Sequence, residues 1–301
     1  MNEQLAAIDI GTNSALLLIA ERRAGVLEPV RQRVGVPRVG RNLAATGVIS
    51  GESFAALKAC LEGFLADIRD CGATLVGAVA TQAFRVASNG PALLAEVSAV
   101  LGLEARIIAG PEESRLGYLA VSNRHAGSEL AVLDIGGGST EVTRKGFGFS
   151  LPIGAVALLE SCGPNPAACR ERAAAAFRGN LEEGTGGTDL VAVGGTASAL
   201  AMLELKLPAF DSAAIEGLRI GLADVTRTID LLAALSDADR AALPGMDKGR
   251  MDILMPGLCI LEAFLMATGR TEFRVSDRGI RYGVILDWIK KRAARPQAEI
   301  T

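Results

Sequence analysis

The sequence predicts an α/β protein built from two similar domains. Three observations carry that expectation. Strand-like and helix-like stretches alternate along the 301 residues. A Gly turn, "DIGTNS" at 9–14, returns as "DIGGGST" at 134–140. The order of elements then starts over near residue 126, so domains of about 1–124 and 125–301 are expected.

In the first half, "LAAIDIGTNSALLLIAERRAG" reads as a strand, a Gly turn and a returning strand. "GVISGESFAALKACLEGFLADIRDCG" has helical apolar spacing, with Ser50 or Ser53 as the cap and Cys71-Gly72 as the stop. "TLVGAVATQAFR" is a buried strand running into a loop, "NGPALLAEVSAVLG" a helix and "LEARIIAG" a strand. "PEESRLGYLAVSNRH" is a helix with Pro111 in its first turn.

In the second half, "SELAVLDIGGGSTEVTRKG" repeats the strand, turn and strand. "NPAACRERAAAAFRGNLEEG" is a helix, and "DLVAVGGTASALAML" a strand, a Gly-Gly turn and a helix. "LADVTRTIDLLAALSDADRAAL" and "RMDILMPGLCILEAFLMATG" are helices. "TEFRVSDRGIRYGVILDWIKKR" is a strand and a terminal helix, about 279–294, that is free to pack back on the first domain. The tail "RAARPQAEIT" is expected to fray.

Composition narrows the function. Half the residues are hydrophobic, 22% are charged and the net charge is −3. That is the balance of a chain with a sizeable core, and it disfavours bulk binding to nucleic acid. Any anion site must then be local and built from backbone N–H groups. The start of the chain carries no basic and apolar leader, and stretches such as 190–203 are too short and Gly/Thr-rich to span a bilayer. No membrane partner and a cytoplasmic setting are therefore expected. Five cysteines (Cys60, Cys71, Cys162, Cys169 and Cys259) include no CxxC pair and read as reduced thiols. One histidine, His125, excludes histidine-built zinc sites and reads as a surface residue.

The repeated turn points to phosphate. Glycine lets backbone N–H groups approach an anion without a Cβ in the way, and consecutive N–H groups make a cationic nest. Gly11, Thr12, Asn13 and Ser14 supply donors in the first copy, and Gly136, Gly137, Gly138, Ser139 and Thr140 in the second. A third Gly turn, "VGGTAS", adds Gly194, Gly195 and Thr196. Asp9 and Asp134 precede the two main turns. A carboxylate beside phosphate is repulsive unless a cation intervenes, so Mg²⁺ or Mn²⁺ is expected. Neither GxxxxGK[ST] nor GxGxxG after a strand occurs.

In this order, "AAIDIGTNS", "VATQAFRVASN", "IIAGPEESRLGYLAV", "AVLDIGGGSTE", "LPIGAVAL", "VAVGGTASAL", "RMDILMPGLCILEAFL" and "VSDRGIRYGVI" cover nearly the whole chain. They resemble the exopolyphosphatase and guanosine pentaphosphate phosphatase family of the actin-like superfamily. The resemblance implies two actin-like (ribonuclease H-like) domains with both DIG turns facing an interdomain cleft. It implies hydrolysis of the terminal phosphoanhydride of polyphosphate or guanosine pentaphosphate, the tetraphosphate being a further ligand, and a homodimer.

By that resemblance Glu113 is the catalytic base or water-orienting residue, with Glu112 as fallback, and Asp134 and Glu141 hold Mg²⁺ and the attacking water. Asp9 joins the metal set. Arg85 matches a phosphate-contacting arginine, whose planar fork suits phosphate. Arg38 and Arg41 sit where the family carries basic residues near its ligand. Arg278 and Arg281 stay open between ligand contact and packing. Thr12, Val86, Ser114 and Tyr282 depart from the usual pattern, where serine, an acidic residue, alanine and glutamate are more common. Longer members carry extra C-terminal helical domains, so a preference for short polyphosphates or nucleotides is expected. Two other readings remain: a sensor that binds (p)ppGpp or polyphosphate without turnover, and an ATP-using actin-like kinase.

Overall fold

The computed structural model describes residues 3–125, 129–179 and 189–294. The chain divides into two compact units, Met1–Ala126 with Gly279–Thr301, and Gly127–Arg278.

The first unit opens with β1 (Gln4–Ile10), β2 (Ala15–Arg23) and β3 (Val26–Gly35), followed by α1 (Leu43–Thr46) and α2 (Gly51–Asp70). Then come β4 (Thr74–Ala80), α3 (Gln82–Val86), α4 (Gly90–Leu101), β5 (Ala105–Ile107) and α5 (Gly110–Arg124). The second unit runs β6 (Leu130–Ile135), β7 (Thr140–Arg144), β8 (Phe147–Leu151), α6 (Ala155–Cys162) and α7 (Pro166–Phe177). It continues with β9 (Asp189–Val193), α8 (Gly194–Leu205), α9 (Ser212–Ile215), β10 (Arg219–Gly221) and α10 (Leu222–Ala234). α11 (Asp237–Ala242), α12 (Met251–Thr268) and β11 (Glu272–Val275) complete it, and α13 (Ile280–Ala294) returns to the first unit.

The sheet orders show the duplication. The first is β3-β2-β1-β4-β5 and the second β10-β11-β9-β6-β7-β8. In each, an antiparallel three-strand meander joins parallel strands through its first strand. The same α/β plan is thus built twice, with β10 as an extra antiparallel edge in the second copy. Parallel neighbours need helical crossovers, which explains the interleaved helices.

Several elements were not foreseen. β3 carries Pro29, which cannot donate to a ladder. It is tolerated because β3 is an edge strand, and the β2–β3 register shifts at Ile19/Ala20, beside it. Arg31 and Arg33 on β3 both pair with Asp67 of α2. The segment after β4 forms the short α3 where a loop was expected, and β8 and α6 extend the second hairpin. The stretch 222–243 breaks at Leu235, because Ser236 caps α11 by accepting from the Asp239 N–H. At α2 the cap is Ser50, accepting from Ser53 N–H. The helix expected at 165–184 stops at Phe177, where Arg178 turns extended, and residues 180–184 and the tail 295–301 lie outside the described residues.

Among the described residues one helix, α12, is long and apolar enough to cross a membrane by length and composition. It is instead the spine of the second core: every residue from Ile253 to Leu265 is buried. A salt-bridge network ties it to its neighbours. Arg170 of α7 donates through Nε and Nη2 to Glu262 at 2.7 and 3.2 Å, and Thr226 Oγ1 of α10 donates to the same carboxylate at 2.7 Å.

Candidate functional site

In both units the candidate residues lie at the carboxyl ends of the parallel strands, where open α/β sheets bind ligands. They fall into two groups, one per unit.

In the first unit, Gly11 N–H closes its turn on Ser14 O at 2.9 Å. The carbonyls of Thr12 and Asn13 accept from Gly40 and Arg38 N–H, so the segment carrying Arg38 and Arg41 is laid against the turn by its backbone. A Cβ on Gly40 would lie 2.1 Å from Thr12 Cγ2, which explains a glycine there. Arg38 itself is left-handed at φ 53°. Side chains brace the loop: Thr12 Oγ1 donates to Gln82 Oε1 and Asn13 Nδ2 to Ser14 Oγ. Asp9, Thr12, Asn13 and Ser14 are all buried.

β4 and β5 end alongside. Thr81 N–H bonds Ile10 O, and Ile108 N–H bonds Ala80 O. Glu113 stands in the first turn of α5, where a negative charge suits the helix N-terminus, and is only 7% exposed. Arg85 Nη1 holds it, donating to Glu113 Oε2 at 3.1 Å and to Ile108 O at 2.6 Å. The arginine and the glutamate proposed from the sequence are therefore joined directly. Glu112 turns instead to Arg106, closer to solvent.

The second unit repeats the turn. Gly136 N–H closes on Ser139 O at 2.9 Å. The amides of Gly11 and Gly136, expected from the sequence to donate to phosphate, are thus engaged in turn closure. The amides of Thr12, Asn13, Gly137 and Gly138 make no hydrogen bond among the described residues. Thr140 is also a correction: it is fully buried, and its hydroxyl donates to Ile153 O at 2.6 Å. It shapes the turn from beneath.

The turn is held from behind by α6. Ala155 N–H donates to Gly136 O, and Val156 and Ala157 N–H to Gly137 O. A Cβ on Gly154 would fall 2.5 Å from the Gly137 carbonyl carbon. The carbonyls thus face the helix N-terminus, which leaves the Gly137 and Gly138 amides for an anion.

Asp134 and Glu141 are directly opposed across the β6–β7 ladder, so both side chains leave the same face. The matching pair in the first copy is Asp9 opposite Leu16. Two carboxylates therefore stand together at the second turn only. Ser150 Oγ of β8 fixes Glu141 by donating to Oε1 at 2.6 Å. Burial pushes the Asp134 carboxyl up to about 6, with the Arg250 guanidinium pulling the other way.

The third Gly turn begins α8. Gly194 is left-handed at φ +85°, and a Cβ there would meet Asp134 Oδ1 at 2.5 Å. Gly195 lies under Arg250, whose Nη1 would be 1.7 Å from an added Cβ. Thr196 is buried against Gly257 of α12. The first-turn N–H groups of α8 have no side-chain cap, the arrangement that lets a helix N-terminus take an anion. Arg250, which precedes α12, was missed in the sequence. Nothing in its spacing marks it, because only the fold brings it to Gly195.

Of the open residues, Arg281 packs within the first unit, donating to Leu17 O at 3.1 Å. Arg278 is buried at the end of the second unit, its N–H donating to Ser276 Oγ. Tyr282 is fully buried and its hydroxyl accepts from Gln32, while Val86 is 55% exposed. His125 ends α5, its N–H bonded to Val121 O.

The donor set suits Mg²⁺. Among the described residues no cluster of three His, Cys, Asp or Glu side chains forms a protein-only cage. Mg²⁺ needs none, because it commonly takes one or two carboxylates and completes its shell with phosphate oxygen and water.

Comparison with known proteins agrees with this geometry. The sequence model of the Ppx/GppA phosphatase family matches residues 18–292. Exopolyphosphatase 2 of Mycobacterium tuberculosis is 31% identical over 94% of this chain and 98% of its own. A crystal structure of an Aquifex aeolicus Ppx/GppA family member superposes with a TM-score of 0.80 at 26% identity, over 98% of this chain and 100% of that one. An exopolyphosphatase-like protein superposes with a TM-score of 0.87 at 26% identity, over 97% and 99%. With duplicated sheets, repeated Gly turns and near full-length matches all in agreement, the chain belongs to the Ppx/GppA phosphatase family.

Proposed function

We propose that this protein is a Mg²⁺-dependent phosphoanhydride hydrolase that removes the terminal phosphate of polyphosphate or of guanosine pentaphosphate as orthophosphate. The observation that carries the reading is the second turn: free Gly137 and Gly138 amides stand beside two opposed carboxylates, Asp134 and Glu141. Phosphate donors and cation ligands thus share one place. Family membership supports the phosphatase chemistry, and the name of the mycobacterial relative supports polyphosphate as substrate.

The chain's own groups divide the work. The turn amides, the α8 N-terminus and Arg250 bind phosphate oxygens. Glu113, oriented by Arg85, takes the proton of the attacking water. Ser150 keeps Glu141 aimed. Asp134 and Glu141 would hold Mg²⁺, which would supply neutralisation of the charge that develops on the transferring phosphoryl group, and Asp9 is the candidate ligand at the first unit's own turn.

The test is phosphate release with Mg²⁺ or with chelator from short polyphosphate, long polyphosphate, guanosine pentaphosphate and ATP. Release that needs Mg²⁺ and falls about 10²–10⁴-fold in Glu113→Ala is expected, the range of a lost general base. No release from any substrate, with guanosine pentaphosphate still bound, would replace the enzyme with a sensor.

A further inference from the structure

We propose that Cys162 and Cys169 form a peroxide-driven disulfide that controls the second phosphate turn; the control, though not the bond itself, rests on the function proposed above. Cys162 is the last residue of α6, and Cys169 lies in the first half of α7. Their thiols cross. Cys162 Sγ donates to Ala168 O at 3.7 Å, and Cys169 Sγ to Gly163 O at 3.6 Å, each reaching the neighbour of the other. The Cys162 thiol also helps to raise that of Cys169, as a close neighbour does. Both are free, Cys162 half-buried and Cys169 buried.

The division of labour follows from access. Burial pushes the Cys169 thiol up to about 11, so it does not meet an oxidant first. Cys259, a third nearby thiol, is buried against Met255 Sδ at 3.7 Å and pushed up to about 12, so it is a spectator. Hydrogen peroxide oxidises Cys162: an S–O bond forms, the O–O bond breaks and one water leaves. The Cys169 sulfur then attacks the sulfenic sulfur. The S–S bond forms, the S–O bond breaks, and the Cys169 proton leaves with hydroxide as a second water. Two thiols lose two electrons and two protons, and one peroxide becomes two waters.

The consequence lies at the other end of α6. Its first three amides hold Gly136 O and Gly137 O, and Gly154 abuts the Gly137–Gly138 peptide. A short rigid helix tied to α7 at its C-terminus transmits that tie to the turn.

The experiment treats the full-length reduced protein with hydrogen peroxide, alkylates the remaining thiols and maps peptides by mass. Of the five cysteines, Cys162 and Cys169 are expected linked and two hydrogens lighter, with Cys60, Cys71 and Cys259 alkylated. Phosphate release should fall several-fold and return with dithiothreitol. Cys162→Ser should keep the untreated rate and lose the response, and Cys169→Ala should do the same. Hydrogen exchange at Gly137 and Gly138, oxidised against reduced, reads the turn without any turnover. Full alkylation of all five thiols after peroxide, or a different linked pair, would overturn the disulfide. A linked pair with unchanged exchange at the turn would overturn the control. A reduced protein that releases no phosphate fails the hydrolase reading alone, because mass and exchange still decide this one.

Discussion

At Asp134 a carboxylate is kept where burial opposes its charge. Its carboxyl sits at about 6 against an ordinary 3.8. The folded state therefore binds the proton more tightly than the unfolded chain does. Stability falls as pH rises from about 4 to about 6 and stays reduced above that. With chelator at pH 7.5, Asp134→Asn should raise thermal stability by roughly 1–3 kcal/mol, allowing for solvent at the half-buried carboxylate, while phosphate release is lost. At pH 4 the stability gain should vanish, and a melting series against pH checks both. Gly194 makes the complementary case. It needs a positive φ and leaves no room for a Cβ beside Asp134. Gly194→Ala should cost about 1–3 kcal/mol and reduce turnover sharply, measured by denaturant melts and phosphate release. Asp134 was legible from the sequence because the repeat marks it. Arg250 and Ser150 were not, since their partners are distant in the chain or on a strand the pattern did not show.

Among the elements, α12 shows what holds the second core together. Glu262 is buried and accepts from Arg170 and Thr226, joining α7, α10 and α12. Glu262→Ala leaves Arg170 paired with Asp230 alone, strands the Thr226 hydroxyl and opens a hole in the core, and should cost about 1–3 kcal/mol. A urea midpoint that fails to move would contradict that, and the KM should stay close to its original value because Glu262 lies away from the turns. Regular helices such as α2, α4, α5 and α12 were readable because their apolar spacing and caps are local. β3 was not, because an edge strand with alternating charges and a proline looks like a loop. α6 was not, although it proves to be the support of the second turn.

For the whole molecule, the lesson is discontinuity. α13 closes the first core: Ile280, Tyr282, Val284, Ile285 and Leu286 pack with Leu5, Ala7, Leu18, Val79, Leu116 and Ala120. The fit is close, since a Cβ on Gly283 would lie 2.1 Å from Leu116 O. A fragment of residues 1–126 should therefore expose apolar surface, bind a hydrophobic dye and fail to melt cooperatively. Adding back 279–301 should restore it. Gly127–Arg278, with its own continuous core, should fold alone with a single transition. A cooperative 1–126 fragment would show α13 to be dispensable.

The sequence by itself determined the α/β class, the duplicated DIG turns, the family resemblance and the acidic and Gly candidates. Those signals are local: a turn, a cap or an apolar period is written in adjacent residues. Only the tertiary structure decided which donors are free, because Gly11, Gly136 and Thr140 spend theirs on backbone carbonyls. It alone paired Glu113 with Arg85, set Arg250 over Gly195 and placed α13 in the first unit. Each of those outcomes is a contact between residues far apart in sequence. Such contacts follow from strand order and helix packing, which no local pattern encodes.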